Sequence, residues 1–376
     1  MLPVSATTLR DLSSKRVTVM GLGSFGGGAA AVRFLVERGA IVRVSDQRTR
    51  EQLASTIDGL SDLAGIDWQL GGHDWSHFSD ADFAVINPAV KPQHALLQRL
   101  HAEQIPVTSE LSMFWLLNPG RVIAVTGSNG KSTTTALTHT LIAASGKRCW
   151  LGGNIGRSLL PHVDEIASDD VVVLEVSSFQ LEQLDVINAR PDIAIVTNFS
   201  PNHLDWHETL DNYRRAKQSL LRWQTADDWC VLNSQDADVT AWPHQSRCVQ
   251  FGTPTPEQAA SEQAAWLENG SARIRIGDTV TSVALTRNLR LRGQHNVENA
   301  LAAISAALLA GVDAAAIERG LREFEPLPHR LQLVGEIDGR RFYNDSIATT
   351  PESAIAALNS FDEPIVLLAG GYDKQV

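Results

Sequence analysis

Cysteine is scarce in this chain, positive charge is in the minority, and long apolar runs are missing. The three cysteines in 376 residues, Cys149, Cys230 and Cys248, are odd in number and form no C-x-x-C pair. They read as reduced thiols of a cytoplasmic protein rather than as a disulfide framework. Lys and Arg number 32 against 43 Asp and Glu, a net charge of −11. That balance argues against nucleic acid or an anionic membrane as partner, and any anionic ligand then needs local cations or helix N-termini. No segment approaches the roughly 18 apolar residues of a membrane span, and MLPVSATTLRDLSSKRV has no apolar run of signal-peptide length. The expectation is a soluble, cytoplasmic protein.

What is present is an alternation of strand and helix signals, the mark of an α/β fold with doubly wound sheets. RVTVMGLG, IVRVSD, FAVINPAV and IPVTS read as strands, with helices in GGGAAAVRFLVERG and QHALLQRLHAEQ. A second block has strands in RVIAVTG, DVVVLEVS and DIAIVTNF, and helices in STTTALTHTLIAAS, LDNYRRAKQSLL and NVENALAAISAALLAG. Residues 251–270 read as a loop or peripheral excursion, and ARIRIGDTVTSVAL as a hairpin. A hinge at EFEPLPHRLQLV leads to a third block, with a helix in PESAIAALNSF and a strand in PIVLLAGG. The expected units are residues 1–112, 113–326 and 327–376, the last too short for an independent core.

Two glycine loops carry the chemistry. GLGSFG, Gly21 to Gly26, matches G-x-G-x-x-G between a strand and a helix, and Asp46 ends the next strand. Such a loop brings a helix N-terminus against a pyrophosphate, and either NAD or a UDP-sugar satisfies it. The second loop, TGSNGKST, departs from the G-x-x-x-x-G-K-[ST] pattern, because Val125 stands where the first glycine belongs. Gly127 and Gly130 still free the backbone amides of Ser128 and Asn129 to wrap a triphosphate. Lys131 would reach its β and γ oxygens, and Ser132 or Thr133 would ligate magnesium. A simple dehydrogenase has no need of this second loop.

Three further stretches belong with it. DVVVLEVS delivers Glu175 at a strand end, where a magnesium carboxylate belongs. DIAIVTNFSPNHLDWH ends in Asn198, Asn202, His203, Asp205 and His207, a set of metal-capable groups. LDNYRRAKQSLL places Tyr213, Arg214, Arg215 and Lys217 on one helix, which spacing alone reads as a solvated basic face. Asn296 and Asn299, at i and i+3, share a helix face able to hold an adenine edge or to cap a loop.

TGSNGKST, EVSSFQLE, NFSPNHLDWH with YRRAK, GQHNVENALAA, LPHRLQ, YNDSIATTP and LLAGGYDK occur in the order of the Mur ligases. From about Lys15 to Lys374 the chain resembles that family. SSFQLE and N-D-S-x-A-T point to the branch that adds D-glutamate to UDP-N-acetylmuramoyl-L-alanine. The resemblance implies a UDP-binding Rossmann-like domain, a central ATP-binding domain and a C-terminal Rossmann-like domain. It also implies ATP and magnesium as cofactors, an acyl-phosphate intermediate, and a monomer working in cytoplasmic peptidoglycan precursor synthesis. Another Mur-type ligase with a different amino acid, a non-catalytic nucleotide-binding fragment, and the nucleotide-dependent oxidoreductase of the first glycine loop are the alternatives.

The resemblance assigns Gly23, Ser24, Phe25, Asp46, Gln47, the loop Asn87 to Ala89, Asn154 beside Gly153, Ser177 and Gln180 to the UDP substrate. Glu175, His203 and a carbamylated Lys217 join Ser132 at magnesium, with Lys131, Glu175, His203 and Lys217 as the catalytic set. Gly127 to Thr133, Asn296, Asn299, Arg330 and Asp345 fall to ATP, and Thr349 and Lys374 to D-glutamate. Ile347 stands where many relatives have lysine, and the chain ends soon after Lys374. The expectation from the resemblance is therefore a third domain that is truncated, or naturally abbreviated, at its C-terminus, and a chain that binds nucleotides but ligates poorly or not at all.

Overall fold

The computed structural model describes residues 2–23, 26–252, 263–348 and 351–370. Its first sheet is built from β1 (Arg16–Met20), β2 (Ile41–Asp46), β3 (Asp67–Leu70), β4 (Phe83–Ile86) and β5 (Val107–Thr108), in the order β3-β2-β1-β4-β5 and all parallel. Strand order reverses at β1, so the loop after it opens into the crevice where doubly wound sheets bind ligands.

The second sheet has nine strands: β6 (Arg121–Thr126), β7 (Cys149–Gly153), β8 (Val171–Glu175), β9 (Ile193–Val196), β10 (Trp229–Asn233), β11 (Arg247–Gly252), β12 (Ala264–Glu268), β13 (Ser271–Ile276) and β14 (Thr279–Ala284). Their order is β14-β13-β12-β11-β10-β9-β6-β8-β7, parallel from β7 to β12 and antiparallel in the final meander. β6 is central, between β8 and β9.

The central strands read as unbroken apolar runs because both faces are covered. Val122, Ala124, Val172, Leu174, Ala194 and Val196 face a core shared with the first sheet. Ile123, Val125, Val173, Ile193 and Ile195 face the helices Lys131–Ala143, Gln294–Leu309 and Ala314–Glu323. Each fully buried Val, Ile or Leu contributes about 1.5–3 kcal/mol. The helix Glu110–Leu117 joins the two sheets and places Leu111, Met113 and Phe114 in the shared core.

The third block has a hairpin of β15 (Gln332–Ile337) and β16 (Arg340–Asn344) and the helix Pro351–Leu358. The expected strand in PIVLLAGG does not form: residues 364–370 have no assigned secondary structure. A strand is a pairing, and no described strand lies alongside to complete its ladder. Ten of the fourteen exposed large hydrophobics among the described residues lie in this block, from Leu333 to Leu368. Within the expected loop at 251–270, the described residues hold the end of β11 paired with β12.

Candidate active site

The P-loop leaves the carboxyl end of β6 and turns at Gly130 into the helix Lys131–Ala143. Gly127 and Gly130 have φ of 149° and 81°. A Cβ at Gly127 would lie 1.9 Å from Thr197 Oγ1, and one at Gly130 would lie 2.4 Å from Asn299 Oδ1. Both positions therefore require glycine, for space as well as for backbone angle. The loop is pinned from β9: the Asn129 amide donates to Asn198 Oδ1 at 2.8 Å, and Ser128 N donates to the Asn198 carbonyl at 2.9 Å.

Lys131 Nζ folds back on the loop, donating to the carbonyls of Gly127 and Ser128 at 3.0 Å each. Burial and the nearby Arg330 hold its pKa below the usual lysine value, with Glu175 opposing. Lys217 is 1% exposed, and its Nζ donates to the Gly127 carbonyl at 2.8 Å. Burial first, then Lys131, pushes its pKa far below 10.5. The helix Leu210–Arg222 that sequence spacing reads as a solvated face therefore turns Lys217 inward. Tyr213 of the same helix lies 3.2 Å from Ser128 Oγ and is pushed up to about 12 by burial.

Glu175 closes β8 and is 2% exposed. Its Oε1 accepts from Asn154 Nδ2 at 2.7 Å, while Oε2 is buried with no hydrogen-bond partner. A buried carboxylate oxygen left unpaired beside two lysines is a cation ligand in waiting, so the residues present fit a hard divalent metal. His203 precedes the helix Leu204–His207 in a left-handed conformation, its ring 5.0 Å from Phe179. Although the residue as a whole is exposed, desolvation together with Lys131 and Lys217 lowers its imidazole pKa and favours the neutral, ligating form. His207 is buried on Ser178 Oγ at 2.9 Å, and Asp205 is exposed, its carbonyl accepting from Lys91.

Other predicted residues gather around these. Asn299 Oδ1 accepts from Thr134 Oγ1 at 3.2 Å, and Asn299 Nδ2 donates to Asn296 Oδ1 at 3.2 Å. Arg330 donates to Ser132 Oγ at 3.0 Å, and Asp345 Oδ1 accepts from the Leu331 amide at 2.9 Å. Thr133 is buried in the first turn of the P-loop helix. Ser353 of the third block donates to Asn129 Oδ1 at 3.1 Å, a contact no local sequence signal announces. Ile347 is 46% exposed.

At the first glycine loop, Asp46 Oδ2 accepts from the Leu22 amide at 2.8 Å and Oδ1 accepts from Arg48 N at 2.9 Å. Asp46 thus orders the loop itself, and Arg48 brings a cation there that the sequence reading missed. Asn87 Nδ2 donates to the Gly21 carbonyl at 3.1 Å, beside Gly23, and Gln47 is exposed next to Asp46. Ser177 and Gln180 form a capping box at the helix Ser178–Val186, satisfying one another. Ser24, Phe25, Thr349 and Lys374 lie outside the described residues.

Residues 15–109 match the family model of the Mur ligase MurD-like N-terminal domain, and residues 125–307 match the Mur ligase middle domain. UDP-N-acetylmuramoylalanine–D-glutamate ligase of Acetivibrio thermocellus is 38% identical over 370 residues, covering 98% of this chain and 77% of the relative. The chain belongs to the Mur ligase family. The same-named enzyme of Roseiflexus sp. is 39% identical, covering 97% of this chain and 80% of its own length. Among solved Mur ligases, the UDP-N-acetylmuramate:L-alanyl-γ-D-glutamyl-meso-diaminopimelate ligase of Neisseria meningitides is similar in fold, with a TM-score of 0.59 at 21% identity. The alignment covers 84% of this chain and 99% of that one. The UDP-N-acetylmuramate–alanine ligase of Thermotoga maritima gives a TM-score of 0.57 at 22% identity, over 92% and 77% of the two chains. No helix among the described residues is long and apolar enough to cross a membrane.

Proposed function

We propose that this chain is an ATP-dependent amide-forming ligase that joins D-glutamate to UDP-N-acetylmuramoyl-L-alanine in cytoplasmic peptidoglycan precursor synthesis. The observation that carries the reading is Glu175, half satisfied by Asn154 and half unpaired, beside Lys131, Lys217 and the P-loop. The relatives' shared name supplies the two substrates.

The substrate carboxylate is a poor electrophile at neutral pH. Its oxygen attacks the γ-phosphorus of ATP, ADP leaves, and an acyl phosphate results. The D-glutamate amine then attacks the acyl carbon; phosphate leaves and the amine gives up a proton. Lys131 and the amides of residues 127–133 hold the phosphates, Asn296 and Asn299 face the adenine side, and Arg330 and Asp345 complete the nucleotide pocket. Bound magnesium neutralises charge between the reacting anions; Glu175, His203 and Lys217 would hold it with Ser132.

Lys217 fits carbamylation because only a neutral amine adds carbon dioxide, losing a proton as the carbamate forms. Its buried, pKa-depressed ammonium meets that requirement. The glycine loop at residues 21–26 with Asp46, Gln47 and Asn87 receives the UDP part, and Ser177 and Gln180 line its path. In this reading residues 1–112 bind the UDP substrate, 113–326 bind ATP, and 327–376 approach the P-loop through Ser353 and Arg330 as a monomer closes.

The test is phosphate release from ATP and UDP-N-acetylmuramoyl-L-alanine with a panel of amino acids. D-glutamate is expected to support turnover and L-glutamate, L-alanine, diaminopimelate and D-Ala-D-Ala are not. Preference for any other member of the panel would replace the substrate assignment.

A further inference from the structure

Cys230 and Cys248 are registered partners on the neighbouring parallel strands β10 and β11. Paired residues of a parallel ladder project to the same face, so the two thiols stand side by side. His244 joins them from the segment that leads into β11: its Nδ1 lies 3.7 Å from Cys230 Sγ, and the ligand atoms of Cys230, His244 and Cys248 all fall within 4.8 Å of one another. The loop that carries the histidine is anchored on both sides. Trp242 is 3% exposed in the core, and Ser246 Oγ donates to Gln224 Oε1 at 3.0 Å.

We infer that Cys230, His244 and Cys248 form a binding site for a thiophilic transition-metal ion, with Zn2+ the best match to the donor set. Two sulfurs and an imidazole select a borderline-soft ion over magnesium. A divalent ion with two thiolates is neutral as a unit, which suits a site whose inner wall is the buried Cys230 and its apolar neighbours. His244 Nδ1 also lies 3.1 Å from the Ser246 carbonyl oxygen, to which its N–H donates. Ligation through this nitrogen needs the proton moved to Nε2, which the exposed ring allows. Among the described residues no fourth His, Cys, Asp or Glu joins the group, so a water completes a tetrahedral set.

The site is separate from the P-loop. Cys230 belongs to the core on one face of the sheet, and the P-loop helix Lys131–Ala143 packs on the other. Its effect is to tie β10, β11 and the segment between them together, and metal binding raises stability by mass action.

The test uses the full chain without a histidine tag, reduced and stripped with chelator. One equivalent of Co2+ is expected to give thiolate-to-cobalt charge-transfer absorption, which one equivalent of Zn2+ abolishes and excess Mg2+ does not. His244→Ala changes an exposed residue and Cys248→Ser a half-buried one; with circular dichroism unchanged, both are expected to lose the band, and Cys149→Ser to keep it. Absence of the band, a band that survives both variants as adventitious binding, or a Cys230–Cys248 disulfide in the freshly isolated chain would overturn the site. ATP binding measured on the same sample keeps this outcome distinct from that of the ligase reading.

Discussion

Asn154 Nδ2 donates to Glu175 Oε1 at 2.7 Å, and the Asn154 amide also donates to the Glu175 carbonyl at 2.8 Å. The resemblance sets Asn154 beside the UDP substrate; the structure sets it on Glu175, the carboxylate proposed to hold magnesium. Asn154→Ala is expected to lower kcat about 10- to 100-fold and to raise the magnesium concentration needed for half-maximal activity, as loss of a ligand-orienting bond does. Affinity for the UDP substrate should be unchanged. Calorimetry that shows the UDP compound weakened, with magnesium dependence unmoved, would return Asn154 to the substrate.

Gly130→Ala forces a Cβ within 2.4 Å of Asn299 Oδ1 at a φ of 81°. The strained backbone costs on the order of 1–3 kcal/mol, and Asn299 must leave Thr134. The urea midpoint is expected to fall and ATP binding to weaken together. A variant as stable as the parent with normal ATP affinity would show that the loop is free to rearrange.

Lys217 is expected to take up carbon dioxide. Its ammonium pKa is lowered by burial and by Lys131, so the neutral amine persists as pH falls below 10.5, until the lowered pKa is reached. Chain equilibrated with 13C-bicarbonate should show a carbamate carbonyl resonance that is absent from Lys217→Gln. Lys217→Ala should lose about a hundredfold or more in turnover, on the scale of one preorganised electrostatic group. An unlabelled Lys217 in fully active protein would exclude the modification.

Glu110 sits where the two sheets meet and hydrogen-bonds the Ser158 hydroxyl. Burial raises its carboxyl to about 7, against the Ser158 bond. The folded state then holds a proton that the unfolded chain releases near 4.5, so stability attributable to Glu110 falls as pH rises from about 4.5 to 7. Glu110→Gln should leave stability at pH 4.5 nearly unchanged and raise it by about 1–2 kcal/mol at pH 8, less than the full shift implies because the residue keeps some solvent contact. Urea unfolding at the two pH values measures the difference, and a gain at pH 4.5 that vanishes at pH 8 would reverse the assignment.

Much of this was legible because it is local. The apolar runs around Val122, Val172 and Ile193 announce buried parallel strands, and TGSNGKST announces its own turn and helix. Strands β7, β10 and β11 were not read: CWLGG, WCVLN and RCVQFG are short, and their pairing partners decide them. PIVLLAGG shows the converse, a good strand composition without a ladder. In the site, Lys131 and Glu175 follow from motif and strand end. The burial of Lys217, the bond of Asn154 to Glu175 and the reach of Ser353 to Asn129 span chain separations that no periodicity encodes.

Calorimetric titration with UDP-N-acetylmuramoyl-L-alanine, NAD and ATP tests whether the two glycine loops serve two different substrates. Saturable binding of the UDP compound, none of NAD, loss of UDP-compound binding in Asp46→Ala and loss of ATP binding alone in Lys131→Ala are expected. Saturable NAD binding that Asp46→Ala abolishes, with no heat from the UDP compound, would contradict this expectation.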